Sequence, residues 1–291
     1  MQDAAAAPGS LYIVGTPIGN LRDITLRALD ILKTVDLVAA EDTRVTQTLL
    51  NAHGLQKKLV ALHEHNEREV TERLIADLAA GRSVAYVSDA GTPGVSDPGA
   101  HLARRARAAG LPVFAIPGPS AVATALSVAG IGDGRWLFYG FLPNKAAARR
   151  KALETLKALP YALVFYEAPH RVRECVADLA AVLGPEREIA IARELTKLFE
   201  QVHLCRLEEA EAWLAADANH CRGEFVLIVQ GAAAQAADAG ALRATLEILL
   251  AELPLKQAVA LAVKLTGEKK NTVYELALEL QKHGHPDAHP A

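Results

Sequence analysis

The chain has 291 residues, 51% of them hydrophobic, enough to bury a sizeable core across two domains of ordinary size and to exclude general disorder. Its 31 Lys and Arg nearly balance 34 Asp and Glu, for a formal charge of -3, so a polyanionic partner has to be gripped by a local basic patch. The 3 cysteines match no zinc spacing and suit a reducing, cytoplasmic compartment, and no apolar run reaches the roughly 18 residues that span a bilayer.

Residues 1–10, MQDAAAAPGS, read as a loose tail. From Leu11 to residue 130, short β-branched runs alternate with amphipathic segments, the pattern of an α/β lobe. LYIVG, LVAAE, KLVALH, SVAYVSD and PVFAIPG are the expected strands. LRDITLRALDILKTV, TRVTQTLLNAHG, EREVTERLIADLAAG and PGAHLARRARAAG are the expected helices, several closed by a glycine suited to a left-handed cap. GIGDG, residues 130–134, reads as a hinge. A second α/β lobe, 135–232, follows with RWLFYGFL, a basic helix from Lys145 to Leu159, the strand YALVFYEA and the helix HRVRECVADLAAVLG. EIAIARELT, EQVHLCRL and GEFVLIVQGA complete its strands. Beyond an alanine-rich bridge, residues 240–284 read as a three-helix appendix, whose composition fits a helix-turn-helix-like unit and a docking or dimerising tail equally; residues 285–291 read as disordered.

Five loops at expected strand ends are crowded with glycine, proline and small polar groups: GTPIGN (15–20), SDAGTPGVSDPG (88–99), PGPSA (117–121), EAPHR (167–171) and RELTKLFE (193–200). Ligands of α/β sheets gather beyond the carboxyl ends of strands, so five such loops argue for one composite site. GTPIGN lacks the third glycine of a dinucleotide fingerprint and the Gly-Lys-Ser/Thr of a P-loop, which argues against both. HEHNE, with His63 and His65, reads as a solvated loop, and no metal site is expected.

GTPIGNLRDIT, AEDTR, SDAGTPGVSDPG, IPGPSA, GFLP, YEAPHR, RELTKLFE and GEFVL, in this order, resemble the bacterial small-subunit ribosomal RNA 2′-O-methyltransferases of the tetrapyrrole-methylase-like superfamily. The resemblance spans Leu11 to Gly231, and a helical C-terminal extension fits that group too. It implies two α/β lobes with a cofactor cleft between them, S-adenosylmethionine as cofactor, and methylation of a cytidine 2′-hydroxyl of 16S ribosomal RNA near the decoding centre. It also implies a homodimer.

By motif position the resemblance assigns Pro17 to the pocket floor, Asp89, Ala90 and Gly91 to the methionine and ribose side, Val95 nearby, and Ser120 and Ala121 to main-chain contacts. Phe165, Tyr166, Leu195, Gly223 and Glu224 match segments expected around the adenosine, although Val95, Phe165 and Leu195 read equally as core.

A ribose hydroxyl is a poor nucleophile until its proton leaves, so a base or a cation beside the developing alkoxide is useful. Strand-end candidates are Glu167, His170, Arg193, Glu194, Lys197 and Glu200. We assign Lys197 to alkoxide stabilisation or proton acceptance, with a grip on a phosphate as its alternative, and Glu167 to orienting or receiving the proton, with a structural bridge to Arg171 or Arg193 as its alternative. RNA contacts are expected from Lys145, Arg149, Arg150 and Lys151 on the basic helix and from Arg171. Further basic clusters are Arg104, Arg105 and Arg107, and Lys264, Lys269 and Lys270. With few aromatics, recognition is expected to use folded RNA shape and phosphates, which favours an assembled or assembling particle over naked RNA. Two alternatives share the cleft: a methylase of a tetrapyrrole-type small molecule, and a non-catalytic ribosome-binding factor.

Overall fold

The computed structural model describes residues 5–283, so the expected tail 285–291 and the first residues of the N-terminal tail lie outside the described residues. Residues 6–10 are not loose. Ala6 N–H donates to Thr34, Ala7 N–H to the Tyr12 hydroxyl and Gly9 N–H to the Gly81 carbonyl, and Ser10 is buried.

The first sheet is wholly parallel. Its strands β1 (Leu11–Val14), β2 (Leu37–Ala40), β3 (Leu59–Ala61), β4 (Val84–Val87) and β5 (Val113–Ile116) lie in the order β3-β2-β4-β1-β5. Helices α1 (Leu26–Thr34) and α2 (Thr43–Ala52) cover one face, and α3 (Glu67–Ala79) and α4 (Ala100–Ala108) the other. Burial on both faces explains why β2 and β4 read as unbroken apolar runs. Side chains fix where helices begin: the Thr25 hydroxyl accepts from Ala28 N–H to start α1, and Asp42 accepts from Arg44 N–H to start α2.

Helix α5 (Ala121–Ala129) has no counterpart among the expected elements, and it moves the boundary between lobes. Val122, Ala125 and Ala129 pack on Val164, Ala190, Ala192, Val226 and Ile228, so the core of the second lobe begins at residue 121 and the seam lies at Pro117–Ser120, not at GIGDG. The second sheet contains β6 (Trp136–Phe141), β7 (Ala162–Glu167), β8 (Glu188–Arg193), β9 (Gln201–Arg206) and β10 (Phe225–Val229), in the order β6-β7-β10-β8-β9. Only β6 and β7 are parallel neighbours; β10 runs antiparallel to both β7 and β8. Helices α6 (Ala146–Leu156), α7 (Val172–Leu183) and α8 (Leu207–Ala216) cover the face opposite α5. Helix α8 was not expected either; the Glu209 carboxylate accepts from Arg206 N–H at 2.9 Å at its start.

The mixed topology has a consequence for the site. Because β10 is antiparallel to its neighbours, its first residue, Phe225, pairs with the last residues of both β7 and β8, Glu167 and Arg193. The loops 167–171, 193–200 and 222–224 therefore meet at one sheet edge.

Helices α9 (Ala234–Glu252), α10 (Leu255–Thr266) and α11 (Lys270–His283) pack on one another around Leu242, Leu246, Val259, Ala262, Val273 and Ala277. α9 runs back through the alanine-rich bridge, as alanine's helix propensity allows. Gly267, at φ +73°, caps α10 in the left-handed region and leads into α11.

Candidate active site

Three loops at the carboxyl edge of the first sheet are tied by backbone. Thr16 and Gly91 form an isolated antiparallel bridge, with N···O distances of 2.8 and 3.1 Å, and the Thr92 hydroxyl donates to the Pro119 carbonyl at 3.2 Å. Gly15 and Gly118 are in direct backbone contact: a Cβ on Gly118 would stand 2.7 Å from the Gly15 carbonyl oxygen. The first loop also crosses to the second lobe, where Asn20 N–H donates to Thr196 and Gly19 leaves room for the Lys197 stem.

Between these loops and the edge of the second sheet lies a cavity of about 350 Å³. Ile18, Ala90, Gly91, Thr92, Val95, Ser96, Asp97, Ser120 and Ala121 line it from the first-sheet side. Phe141, Tyr166, Glu167, Glu194, Leu195, Lys197 and Glu224 line it from the second. Of the residues expected around a cofactor, Ala90, Gly91, Val95, Ser120, Ala121, Tyr166, Leu195 and Glu224 are on these walls.

Four others are not. Phe165 is wholly buried among Leu163, Val172 and Val176 on the far face of β7, because neighbours on a strand point to opposite faces and Tyr166 takes the cavity side. Gly223 stands behind Glu194: a Cβ there would fall 2.3 Å from the Glu194 carboxyl carbon. Pro17 and Asp89 line a neighbouring hollow with Thr16, Leu21, Val45 and Ser88. Asp89 accepts from Asp42 N–H at 2.9 Å and so steadies the start of α2.

Lys197 sits in a strained turn. Glu194 and Thr196 have φ of +51° and +65°, a region costly for non-glycine residues and typical of functional sites. The Lys197 ammonium donates to Glu194 Oε1 and Glu224 Oε2, both at 2.8 Å, and Glu194 also accepts from Glu224 N–H. Burial alone would lower the Lys197 pKa, but these two carboxylates outweigh it and raise the value. Burial likewise pushes Glu194 up, and Lys197 and the Glu224 amide bring it below its ordinary value. Lys197 is thus held as a cation between two carboxylates, which disfavours its acting as a proton acceptor.

Glu167 has one oxygen engaged and one without a partner: Oε2 is buried and makes no hydrogen bond among the described residues. Its side chain is fully buried, Oε1 accepts from Ala168 N–H at 2.8 Å, and Arg171 Nε lies 3.3 Å away. Arg171 is turned inward, donating to the Leu142 carbonyl at 2.7 Å and to the Asn144 side chain, so it braces the 142–144 turn instead of facing RNA. Arg193 donates to the Arg222 and Phe199 carbonyls, Glu200 accepts from Thr196 N–H, and His170 is exposed at the start of α7.

On α6, Arg149 is also corrected. It is 1% exposed, with Nε 2.6 Å from Asp178 Oδ2, and cannot touch RNA. Lys145, Arg150 and Lys151 are exposed, Arg150 while pairing with the other oxygen of Asp178 at 2.5 Å.

Asp97 is the cavity residue that sequence reasoning undervalued, reading it only as a polar group of the loop. Burial and the nearby carboxylates of Glu41 and Asp89 push its pKa up to about 6. Tyr166, above the same cavity, is raised to about 12, chiefly by burial and then by Asp97.

The family profile described as "Tetrapyrrole (Corrin/Porphyrin) Methylases" matches residues 10–211, and one described as "RsmI C-terminal HTH domain" matches 233–281. "Ribosomal RNA small subunit methyltransferase I" of Escherichia coli O157:H7 is 52% identical over 282 residues, covering 96% of this chain and 98% of the relative. The protein of that name from Pseudomonas aeruginosa is 50% identical over 277 residues, covering 94% and 98%. Among solved structures, the cobalamin biosynthetic enzyme cobalt precorrin-4 methyltransferase superposes with a TM-score of 0.58 at 14% identity, covering 79% of this chain and 96% of that one, a likeness of fold. The two-lobed architecture, the family profile and relatives half identical over nearly the whole length agree: the chain belongs to the tetrapyrrole methylase family and, within it, to the small-subunit ribosomal RNA methyltransferase I group.

Proposed function

We propose that the chain transfers a methyl group from S-adenosylmethionine to a cytidine 2′-hydroxyl of 16S ribosomal RNA near the decoding centre. The acceptor is an assembled or assembling small-subunit particle, and the enzyme works as a cytoplasmic homodimer. The observation that carries this reading is the inter-lobe cavity with a single ammonium group on its wall, in a chain half identical to proteins named as ribosomal RNA methyltransferases.

The lining fits the donor. It combines backbone and small residues such as Ala90, Gly91 and Ala121 with apolar side chains, and among the described residues it holds one lysine and no arginine. Such a site suits a body with an aromatic ring, hydroxyls and a positive charge, and offers nothing built for phosphates. When bound, S-adenosylmethionine supplies an activated methyl on a sulfonium.

The chain's own residues supply alignment and charge. The bridge between Thr16 and Gly91 and the Gly15–Gly118 contact hold the pocket rigid, so that the hydroxyl and methyl meet in line. Lys197, fixed by Glu194 and Glu224, offers a positive charge to an oxygen that becomes alkoxide-like as its proton leaves. Particle contact is assigned to the exposed Lys145, Arg150 and Lys151 and to Lys264, Lys269 and Lys270 on the appendix.

The test is transfer of labelled methyl to small subunits lacking the modification and, in parallel, to the same RNA stripped of protein. Faster labelling of the particle is expected. Equal rates on both would overturn the particle preference, and cofactor binding without RNA labelling would favour a small-molecule acceptor.

A further inference from the structure

We propose that Asp97 is the group that takes the proton from the acceptor hydroxyl, an assignment that rests on the methyl-transfer reading above. Four carboxylates border the cavity, and three already face cations: Glu167 faces Arg171, and Glu194 and Glu224 hold Lys197. Among the described residues no cation stands against Asp97. The groups around it are the Ser88 hydroxyl and Tyr86 from the β4 side, Glu41 at the end of β2, Asp89 and Tyr166. Among the described residues it is the one carboxylate on these walls with no cation beside it; Glu167 keeps an unpartnered Oε2 but has the Arg171 guanidinium 3.3 Å from its other oxygen.

Its position is fixed from both sides. Ser96, immediately before it, is held at φ +65°, with its hydroxyl against Gly140 in the bulge of β6; a Cβ on Gly140 would stand 2.9 Å from that oxygen. Gly99, two residues after, lies flat on the Tyr86 ring, where a Cβ would fall 2.2 Å from Cε1. A strained residue clamped between two glycine contacts holds the carboxylate at a set point on the wall.

Burial and the two neighbouring carboxylates keep it a stronger base than an exposed aspartate, with a pKa of about 6, yet ionised above neutrality. Such matching of basicity to working pH is what a proton acceptor needs. The new oxygen–carbon bond forms as the carbon–sulfur bond breaks, and the hydroxyl proton passes to Asp97. The sulfonium donor departs as a neutral thioether, so one cation and one carboxylate become two neutral groups and charge is conserved. Lys197 steadies the oxygen from the second lobe while Asp97 receives its proton from the first.

The experiment compares the wild-type protein with Asp97→Asn from about pH 5 to about pH 9. It reads methyl transfer to small subunits, calorimetric affinity for S-adenosylhomocysteine, and melting temperature. The expected results are a kcat lower by about 10²- to 10⁴-fold, affinity within about threefold of wild type, and a wild-type rate that falls as pH drops through about 6. Because the folded-state pKa is raised, ionisation of Asp97 opposes folding, and the opposition grows as pH rises through the interval between the ordinary and the raised value. Asp97→Asn should therefore melt higher than wild type at pH 8 while being inactive, a combination that a merely structural role would not give.

An unchanged kcat in Asp97→Asn overturns the assignment, as does an affinity loss with kcat intact, which would make Asp97 a cofactor ligand. If the variant does not fold, the wild-type profile decides: a rate flat through pH 6 overturns the proposal, and an acid limb there that moves in Asp97→Glu supports it. A wild type that binds S-adenosylhomocysteine but labels no RNA overturns the methyl-transfer reading itself.

Discussion

Arg149 and Arg150 are adjacent in sequence and share one carboxylate, yet they live in different solvents. Arg149 and Asp178 are both nearly inaccessible, whereas the Arg150 side chain is 60% exposed. Losing Arg149 empties a buried site and leaves the buried Asp178 with only the half-exposed Arg150, which approaches the cost of about 3–5 kcal/mol for breaking a buried pair. Losing Arg150 leaves Asp178 with its buried partner and costs about 1 kcal/mol or less. Arg149→Ala should therefore lower the urea midpoint by an amount approaching the larger figure, and Arg150→Ala should leave it almost unchanged. In a particle-binding assay the order reverses: Arg150→Glu and Lys151→Glu should weaken binding and flatten its salt dependence. Lys197 gives a second contrast. In Lys197→Met the Glu194 and Glu224 carboxylates face each other without their cation. The lowered Glu194 pKa contributes stability that is present above the ordinary carboxylate range and lost as pH falls through the folded-state value. Lys197→Met should remove that acid-side loss in a melting series, and kcat should fall by about 10²- to 10³-fold.

At the scale of elements, the pocket is a set of loops held by glycines in backbone contact. Gly118 and Gly15 leave no space for a methyl group on either side, and the atoms that crowd the space are backbone. Gly118→Ala should cost about 1–3 kcal/mol, as overpacking does, and weaken cofactor binding by shifting the 117–121 loop; calorimetry and melting read both. The same elements show what the sequence could and could not reveal. Every observed strand falls within an expected one, and five of the loops converge, because Gly and Pro punctuate strand ends strongly. α5 was illegible because AVATALSVA is apolar all round and shows no polar face to mark a helical period. Phe165 and Tyr166 could not both line the cavity, but which of them does depends on which face α5 covers. Asp97 was hidden for a related reason: the sequence displays the carboxylates around the site but not the cations each one meets.

At the scale of the whole molecule, the second sheet's antiparallel turn at β10 brings three of its loops opposite three from the first, and the cavity follows from that meeting. The appendix has a small core of its own: among the described residues, that cluster is drawn from α9, α10 and α11. A chain shortened to residues 1–232 should keep wild-type affinity for S-adenosylhomocysteine and lose most of its transfer to particles. Loss of both would mean that the appendix supports the cleft.

Small subunits lacking the modification are incubated with the protein and S-adenosylmethionine carrying a labelled methyl, and the RNA is then digested and its nucleosides resolved by mass spectrometry. Label is expected on the ribose of a single cytidine of 16S RNA, arriving far more slowly with Lys197→Met. Label on a base, or none in RNA from a protein that binds the cofactor, would contradict ribose methylation.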